Sequence, residues 1–341
     1  MSAKIAKTIA RQKEKIAEGN FYEAHQQLRV VASRYVKAGD HKNAADILSN
    51  GAVLLLNAGQ GGSGGVLSMM LLNDVYNKGE RECDQENKER LVGILRAFPR
   101  EEPTRKRFIQ EMIGWSGKFG ELERGDPELH YAAGAVYAEE GEAYEAERHL
   151  LLGTAASVPI LTDLHYTWYA ADSPHLAATY ASRSVFPYLV LGNLASASMA
   201  FQLFTSRLTS TNPHLFTQSI ESSKSETRVF PSLPLLNFIS HLLLACPKGD
   251  SGLFKQLAKH YAVHLKETQD LWGEALANIG EIWFGIRIPK GGNPLFDMMG
   301  SMFFGGGGTP KPSTPRSSTP KPKPEVKKVE EPAPPPTMDL D

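Results

Sequence analysis

The sequence predicts an all-α protein: a right-handed α-solenoid of helical hairpins with one small β-hairpin or projecting loop and a disordered C-terminal tail. Apolar residues recur at helical spacing from the start of the chain, where Ile5, Ile9 and Ile16 fall on one face. Glycine followed by a polar residue, as in Gly19-Asn20, Gly39-Asp40 and Gly141-Glu142, repeatedly ends one periodic segment and begins the next. Valine, isoleucine and threonine do not alternate at a period of two for long, so no sheet core is visible.

The N-terminal segment from Lys4 to Lys37 reads as two helices joined at Gly19-Asn20. Neither helix can bury its apolar stripe unless a neighbouring helix packs against it, as is typical of repeat proteins. The tripeptide Tyr-Glu-Ala occurs at 22–24 and again at 144–146, and it fits the close contact between the paired helices of tetratricopeptide-like hairpins. No strict 34-residue repeat holds, so the fold class is better defined than the repeat register.

Later helices begin at clear capping signals, and their number is on the order of fourteen or fifteen. These signals are Asp84, Pro103, Asp126-Pro127 and Ser173-Pro174. The glycine run at 60–65 is followed by Val66 and lacks the lysine of a phosphate-binding loop, so we expect a flexible connection between helices there.

The residues from Lys224 to Pro231 are the exception to the helical pattern, because they are extended in character and bounded by prolines. After Pro289 the chain changes again, with a short apolar patch and then a proline-rich stretch that cannot bury enough apolar surface to fold. We therefore expect helical repeats over 1–150, helical repeats with a hairpin near 224–231 over 151–304, and a disordered tail over 305–341.

A cytosolic protein is the simplest interpretation. Cys83 and Cys246 are the only cysteines and suggest neither a disulfide framework nor a zinc site. The uncharged run Ser184 to Ser206 is long enough to cross a membrane, but Pro187 and Gly192 favour two buried helices instead.

An enzyme or a metal protein is improbable, and we predict no catalytic, cofactor or metal site. His260 and His264 stand four residues apart, yet no third ligand completes a metal-binding pattern. No Ser-His-Asp or Cys-His arrangement has local support.

The first helix carries a basic stripe of Lys4, Lys7, Arg11 and Lys15, although the whole chain has a formal charge of -1. Such a stripe is either a docking surface for an acidic partner or a solvated face of an end helix. If the stripe is only a solvated face, Lys37, in the last turn of the second helix, simply interacts favourably with the helix dipole. Nucleic acid fits poorly, because the patch lacks interleaved aromatic residues.

Several motifs follow one another along the chain. They are Lys7-Thr8-Ile9-Ala10-Arg11, Gly19-Asn20-Phe21-Tyr22-Glu23-Ala24-His25-Gln26-Gln27-Leu28-Arg29, Arg34-Tyr35-Val36-Lys37, the loop at 60–64, Gly125-Asp126-Pro127-Glu128-Leu129-His130, Tyr144-Glu145-Ala146-Glu147-Arg148, Leu152-Gly153-Thr154, Met298-Met299 and Phe303-Phe304. Together, from about Lys4 to Gly308, they resemble the Golgi to ER traffic protein 4 family.

The resemblance implies a non-enzymatic scaffold of the guided-entry pathway, which delivers tail-anchored proteins to the endoplasmic reticulum. In that family the N-terminal basic face docks the targeting ATPase. The C-terminal half binds an adaptor with a ubiquitin-like domain, and this adaptor links to a co-chaperone that carries the client. The scaffold itself is not inserted into the membrane. Lys7, Arg11 and Lys37 match the ATPase-contacting positions, and Lys4 and Lys15 extend the same stripe. Val66 departs from relatives with an acidic residue there, which puts regulation by that charge in doubt.

For the adaptor we expect contacts from the residues at and after the hairpin, namely Val229, Phe230, Leu233 and Leu235. Two other hypotheses remain open at this point. The first is a helical-repeat adaptor of another cytosolic complex, and the second is a metal site near His260 and His264.

Overall fold

A computed structural model of the protein describes residues 3–222 and 225–286. The helices of this part are α1 (Ala3–Ala17), α2 (Phe21–Lys37), α3 (His41–Asn57), α4 (Gly61–Met70), α5 (Gln85–Ala97), α6 (Thr104–Phe119), α7 (Pro127–Glu139), α8 (Ala143–Leu150), α9 (Ser157–Ala170), α10 (Ala177–Val190), α11 (Leu194–Thr211), α12 (Pro234–Ala245), α13 (Ser251–His260), α14 (Ala262–Glu267) and α15 (Gln269–Phe284). Strands β1 (Gln218–Ser222) and β2 (Ser225–Val229) lie between α11 and α12. A π-helical segment (Leu71–Asn77) and two 3₁₀ turns (Pro174–Leu176 and Cys246–Lys248) complete the elements. The predicted tail over 305–341 lies outside the described residues.

The helices form a solenoid, because most of them pack on the next helix and, along most of the described chain, on the next but one as well. Helix α3 packs on α1, α2, α4 and α5, and α10 packs on α9, α11, α12 and α15. The buried apolar residues form one continuous cluster from Ile5 to Phe284. Both the all-α solenoid and the number of helices expected from the sequence are confirmed for the described residues.

The turns between the first helices have the predicted geometry. Gly39 has a φ of 74°, which only glycine adopts without strain. The following Asp40 caps α3, and its Oδ1 accepts a hydrogen bond from the backbone N–H of Asn43 at 3.2 Å. The Asp84 and Asp126 caps of α5 and α7 are also confirmed.

The glycine run is not the flexible connection that the sequence suggests, because residues 61–65 form the first turns of α4. Gly64 is buried against α3, and a Cβ there would lie 2.5 Å from Leu56 Cγ. Gly65 similarly faces Thr104 of α6. These glycines are therefore required for close packing between helices. The residues beside these glycines do not predict this packing, because it depends on contacts with α3 and α6.

The uncharged run folds as the C-terminal part of α10 and the N-terminal part of α11, as predicted. The break lies at Gly192, which has a φ of 75°, whereas Pro187 is inside α10. Among residues 3–222 and 225–286, the structure contains no helix with the length and apolar character that a membrane span needs.

The predicted hairpin is confirmed, and it begins earlier than expected. Strands β1 and β2 pair antiparallel, with Gln218 opposite Val229 and Ser222 opposite Ser225. The sequence signal covered only the second strand and the residues that follow it. The hairpin lies on α11, where Arg228 Nη1 donates hydrogen bonds to Ser206 Oγ (3.4 Å) and Thr209 Oγ1 (3.3 Å).

A polar cluster joins three helices in the middle of the stack, with His165 at its buried end and Arg183 at its exposed end. Glu147 of α8 accepts two hydrogen bonds from Arg183 of α10, each 2.7 Å long. It also pairs with His165 Nε2 of α9 at 2.9 Å. Burial raises the pKa of Glu147, but the hydrogen bonds from His165 and Arg183 outweigh this effect and lower it to about 2. The stack therefore continues across residue 150, and the division into two halves there stays a prediction.

Two buried histidines connect α7 and α8, and sequence reasoning did not single them out. His130 Nε2 lies 3.0 Å from the carbonyl oxygen of Arg124, so this nitrogen carries the proton. In the neutral ring His130 Nδ1 is then an acceptor, and His149 Nδ1 donates to it across 3.0 Å. Burial and the neighbouring His130 lower the pKa of His149 to about 4. Burial also lowers the pKa of His130.

The packing of α4 predicts different effects for two glycines in the same helix. Gly64→Ala should destabilise the protein by about 1–3 kcal/mol, because the new methyl group overlaps Leu56 and the carbonyl oxygen of Ala52. Gly62→Ala should be neutral or stabilising by up to about 1 kcal/mol, because nothing lies within 4 Å of its Cβ position. Urea unfolding measures both values, and equal effects would contradict this packing.

The histidine pair predicts a loss of stability in mild acid. The pKa of His149 is about 4 in the folded protein and about 6.5 in an unfolded chain. As the pH falls from about 6.5 to 4, the unfolded chain binds a proton that the folded chain does not, so about 3 kcal/mol of stability is lost.

Replacing this histidine removes its titration, so the stability difference between the wild type and His149→Phe should shrink over that pH range. The exposed His175 is the matched control, and His175→Phe should leave the pH dependence unchanged. Chemical unfolding at each pH measures the free energies. If the difference in unfolding free energy between the wild type and His149→Phe did not change with pH, titration of His149 would not be the cause of the acid sensitivity.

Candidate functional site

The first candidate surface is formed by α1 and α2, and buried contacts fix the position of α1. Ile5 and Ile16 of α1 are in the core. Gln12 is only 2% exposed, and its Nε2 donates a hydrogen bond to Gln27 Oε1 at 2.9 Å. Gln27 in turn donates to Glu23 Oε1 at 2.9 Å. This polar chain sets the antiparallel register of the two helices.

One member of the predicted basic stripe faces inward. Lys15 forms an ion pair with Glu23 of α2. The hydrogen bond and charge of Lys15 lower the pKa of Glu23, and the charge of Arg11 adds to the effect. Lys15 is therefore partly neutralised by the protein itself, and it is the member of the stripe least available to a partner.

The remaining cations of the stripe are exposed and continue onto α2. Because Lys15 lies level with Glu23 and Gln12 with Gln27, the C-terminal end of α2 lies level with the start of α1. Positions 23, 27, 34 and 37 follow one another at helical spacing along α2. The exposed cations of α1 and α2 therefore border one surface, which we call the cationic face. Its members are Lys4, Lys7, Arg11, Arg34 and Lys37.

The cationic face has unsatisfied charge. Within the described part of the chain, Lys4, Lys7, Arg34 and Lys37 form no ion pair. Arg34 belongs to this face although the sequence analysis did not select it. Only the register between the helices shows its position, since in α2 alone it is one of several basic residues. Lys13 is equally exposed but lies on the opposite side of α1, at nine residues from Lys4.

The second candidate surface lies at the base of the β-hairpin. Val229, Leu233 and Leu235 are partly exposed. Phe230 is 1% exposed and does not fit the predicted role as a surface contact. The side chain of Asn237 holds the backbone of Phe230 by two hydrogen bonds of 2.8 and 2.9 Å. Val229, Leu233 and Leu235 form what we call the hairpin face, and the buried Phe230 packs beneath it in the core.

Three other predicted features have clear positions. Val66 is an exposed residue of α4. His260 ends α13 and His264 lies in α14, so Tyr261 interrupts the helix that would have aligned them. Among residues 3–222 and 225–286, no group of three or more His, Cys, Asp or Glu side chains is arranged to hold a metal ion.

Comparison with known proteins identifies the family of the chain. The profile of the family described as Golgi to ER traffic protein 4 matches residues 38–303. The chain is 55% identical to Golgi to ER traffic protein 4 of Aspergillus fumigatus, over 100% of both sequences. It is 34% identical to the protein of that name from Schizosaccharomyces pombe, over 89% of this chain and 96% of the relative.

The fold agrees with a solved structure. The crystal structure of C. therm. Get4 superposes with a TM-score of 0.81 and 46% sequence identity, and the match covers 93% of this chain and 100% of that chain. The family profile begins at residue 38, directly after the cationic face. The full-length match to the Aspergillus fumigatus protein includes that face. The chain therefore belongs to the Golgi to ER traffic protein 4 family, and this identity supports a role in the guided-entry pathway that targets tail-anchored proteins.

Proposed function

We propose that this chain is a cytosolic, non-enzymatic scaffold that binds the targeting ATPase of the pathway through its cationic face and a ubiquitin-like-domain adaptor through its hairpin face. Through the adaptor the scaffold is linked to a co-chaperone and its tail-anchored clients. The observation that carries the proposal is the cationic face, where α1 and α2 hold unpaired positive charge in a fixed arrangement. Family membership supplies the pathway.

The cationic face suits a reversible partner. Exposed charges accelerate association with a surface of opposite charge and give a contact that weakens with salt. The chain as a whole has a formal charge of -1, so the attraction is confined to this end of the molecule. Such a contact is appropriate to an ATPase that binds and departs in each round of targeting.

The hairpin face suits a longer-lived partner. Its exposed side chains are apolar, and burial of apolar surface at the centre of an interface is typical of stable subunit pairs. The hydrogen bonds of Arg228 to α11 and of Asn237 to Phe230 hold the base of the hairpin in place. A partner can therefore bind a preformed surface.

A helical-repeat adaptor of another complex would share this fold and differ in its partners. Family membership favours the guided-entry pathway over that alternative. Purification of the intact chain from cells, followed by identification of the proteins that accompany it, distinguishes the two. The proposal requires both the targeting ATPase and the adaptor among them.

Charge reversal on the cationic face should weaken ATPase binding. The double variant Lys7→Glu with Arg11→Glu should lower the affinity roughly a hundredfold, because it replaces two attractive charges by two repulsive ones. Calorimetry or surface plasmon resonance at two salt concentrations measures the change. Adaptor affinity should stay the same.

The control is a double variant with the same change of charge elsewhere, Lys13→Glu with Arg96→Glu. Both residues are exposed, Lys13 on the other side of α1 and Arg96 on α5. It should change ATPase affinity by less than about threefold. If both double variants weakened binding equally, net charge and not the cationic face would be responsible.

Charges on the hairpin face should weaken adaptor binding. Val229→Asp with Leu235→Asp should lower adaptor affinity at least about tenfold, because both side chains are partly exposed apolar contacts. Val263→Asp with Leu271→Asp is the control, since these residues are exposed on α14 and α15. Thermal unfolding verifies that each variant is folded. An unchanged adaptor affinity in the first variant would remove this surface from the proposal.

A further inference from the structure

An apolar groove lies between α12 and α13, away from the hairpin face. Its floor consists of Leu244 and Ala245 from α12, Leu253 and Leu257 from α13, and Tyr261. The groove has a volume of about 370 Å³, at the small end of the range of about 300–1,000 Å³ found for ligand clefts. It can hold a few apolar side chains but not a folded domain.

The described chain ends beside this groove. The ring of Phe284 stacks on Phe254 of α13, with the ring centroids 4.7 Å apart. The carbonyl oxygen of Trp283 lies 3.6 Å from the position that a Cβ on Gly249 would occupy. Gly249 directly follows Lys248, which lines the groove. The last helix therefore ends next to α13 and the turn at Lys248, at one edge of the groove.

The following residues have the composition that this groove would take. The sequence Pro-Leu-Phe-Asp-Met-Met-Gly-Ser-Met-Phe-Phe at 294–304, here called the apolar segment, contains seven large apolar residues and one charge. Methionine fills irregular apolar surfaces well because its side chain is unbranched and adaptable. The one charge is Asp297, and the groove lining contains the cation Lys248. The apolar lining and the positive charge of the groove thus match the composition of the segment.

The connection between them is long enough. Seven residues separate Ile286 from Pro294, and the eight Cα–Cα steps between these two residues reach about 27 Å in an extended chain. A short tether of this kind gives an effective concentration in the millimolar range, so even a weak apolar contact is populated. An unattached peptide of the same sequence would have no such advantage.

We propose that the apolar segment, residues 294–304, occupies the groove between α12 and α13 of its own chain. The groove would then be a docking site for the C-terminal part of the same protein. This proposal is independent of the ATPase and adaptor assignments, which concern other surfaces.

Disulfide formation in the purified full-length chain tests the proposal. A cysteine in the groove, Leu244→Cys, is combined with Met299→Cys in the segment. The control pair is Leu271→Cys with Met299→Cys. Leu271 is 68% exposed and Leu244 is 45% exposed. Leu271 lies thirteen residues before Phe284 in α15, about 20 Å along the helix, so the tether reaches both positions.

The groove pair should form an intrachain disulfide at least tenfold faster than the control pair. Adding Phe296→Asp with Met302→Asp should reduce its rate to that of the control pair. Adding the same charge beyond the segment, as Ser313→Asp with Ser317→Asp, should leave the rate unchanged. The native Cys83 and Cys246 stay in place, because burial raises the pKa of both thiols, to about 11 and 12, and suppresses their reactivity.

Four results would overturn the proposal. The two cysteine pairs could react equally fast, or the aspartate pair in the segment could have no effect. A disulfide between chains would make a second copy the occupant. If only added adaptor protected a cysteine at position 244 from a maleimide, the groove would belong to the adaptor.

Discussion

The position of α1 depends on contacts that it makes on one side only. A helix in the middle of a solenoid has neighbours before and after it, whereas the first helix can bury its apolar stripe only against the helices that follow. Ile5 and Ile16 supply that burial, and Gln12 adds a hydrogen bond to Gln27 that is shielded from water. Because α1 carries three cations of the cationic face, these contacts also determine the arrangement of the charges.

The contrast between the two surfaces follows from their supporting elements. The cationic face consists of side chains on two helices, so its register is set by pairs such as Lys15 with Glu23. The hairpin face lies at the base of a two-stranded element, which Arg228 joins to α11 and which Asn237 of α12 holds through the backbone of Phe230. A charged surface needs only a correct arrangement, while an apolar surface must also be held rigid to be complementary in shape.

The sequence predicts the fold well because helix punctuation is local. Gly39 predicts a turn and Asp40 predicts a helix cap, and the structure confirms the turn and the cap. Phe230 and the glycine run were misjudged because their roles depend on contact with a neighbouring helix and not on the residues directly beside them. Burial of Phe230 requires Asn237 and the helix that carries it, and Gly64 requires the approach of α3. The same reasoning explains why Arg34 and the histidine pair were not selected.

The cluster around Glu147 has a consequence for how the two ends of the molecule are related. One carboxylate binds side chains from α9 and α10, and α10 also packs on α12 and α15. Bending the rod at this point would have to break the hydrogen bonds of Glu147 to Arg183 and His165, whereas apolar surfaces can slide past each other without such a loss. The hydrogen bonds of Glu147 therefore brace the stack at this point, so partners bound on either side of the cluster, as proposed above, would be held at a nearly constant spacing.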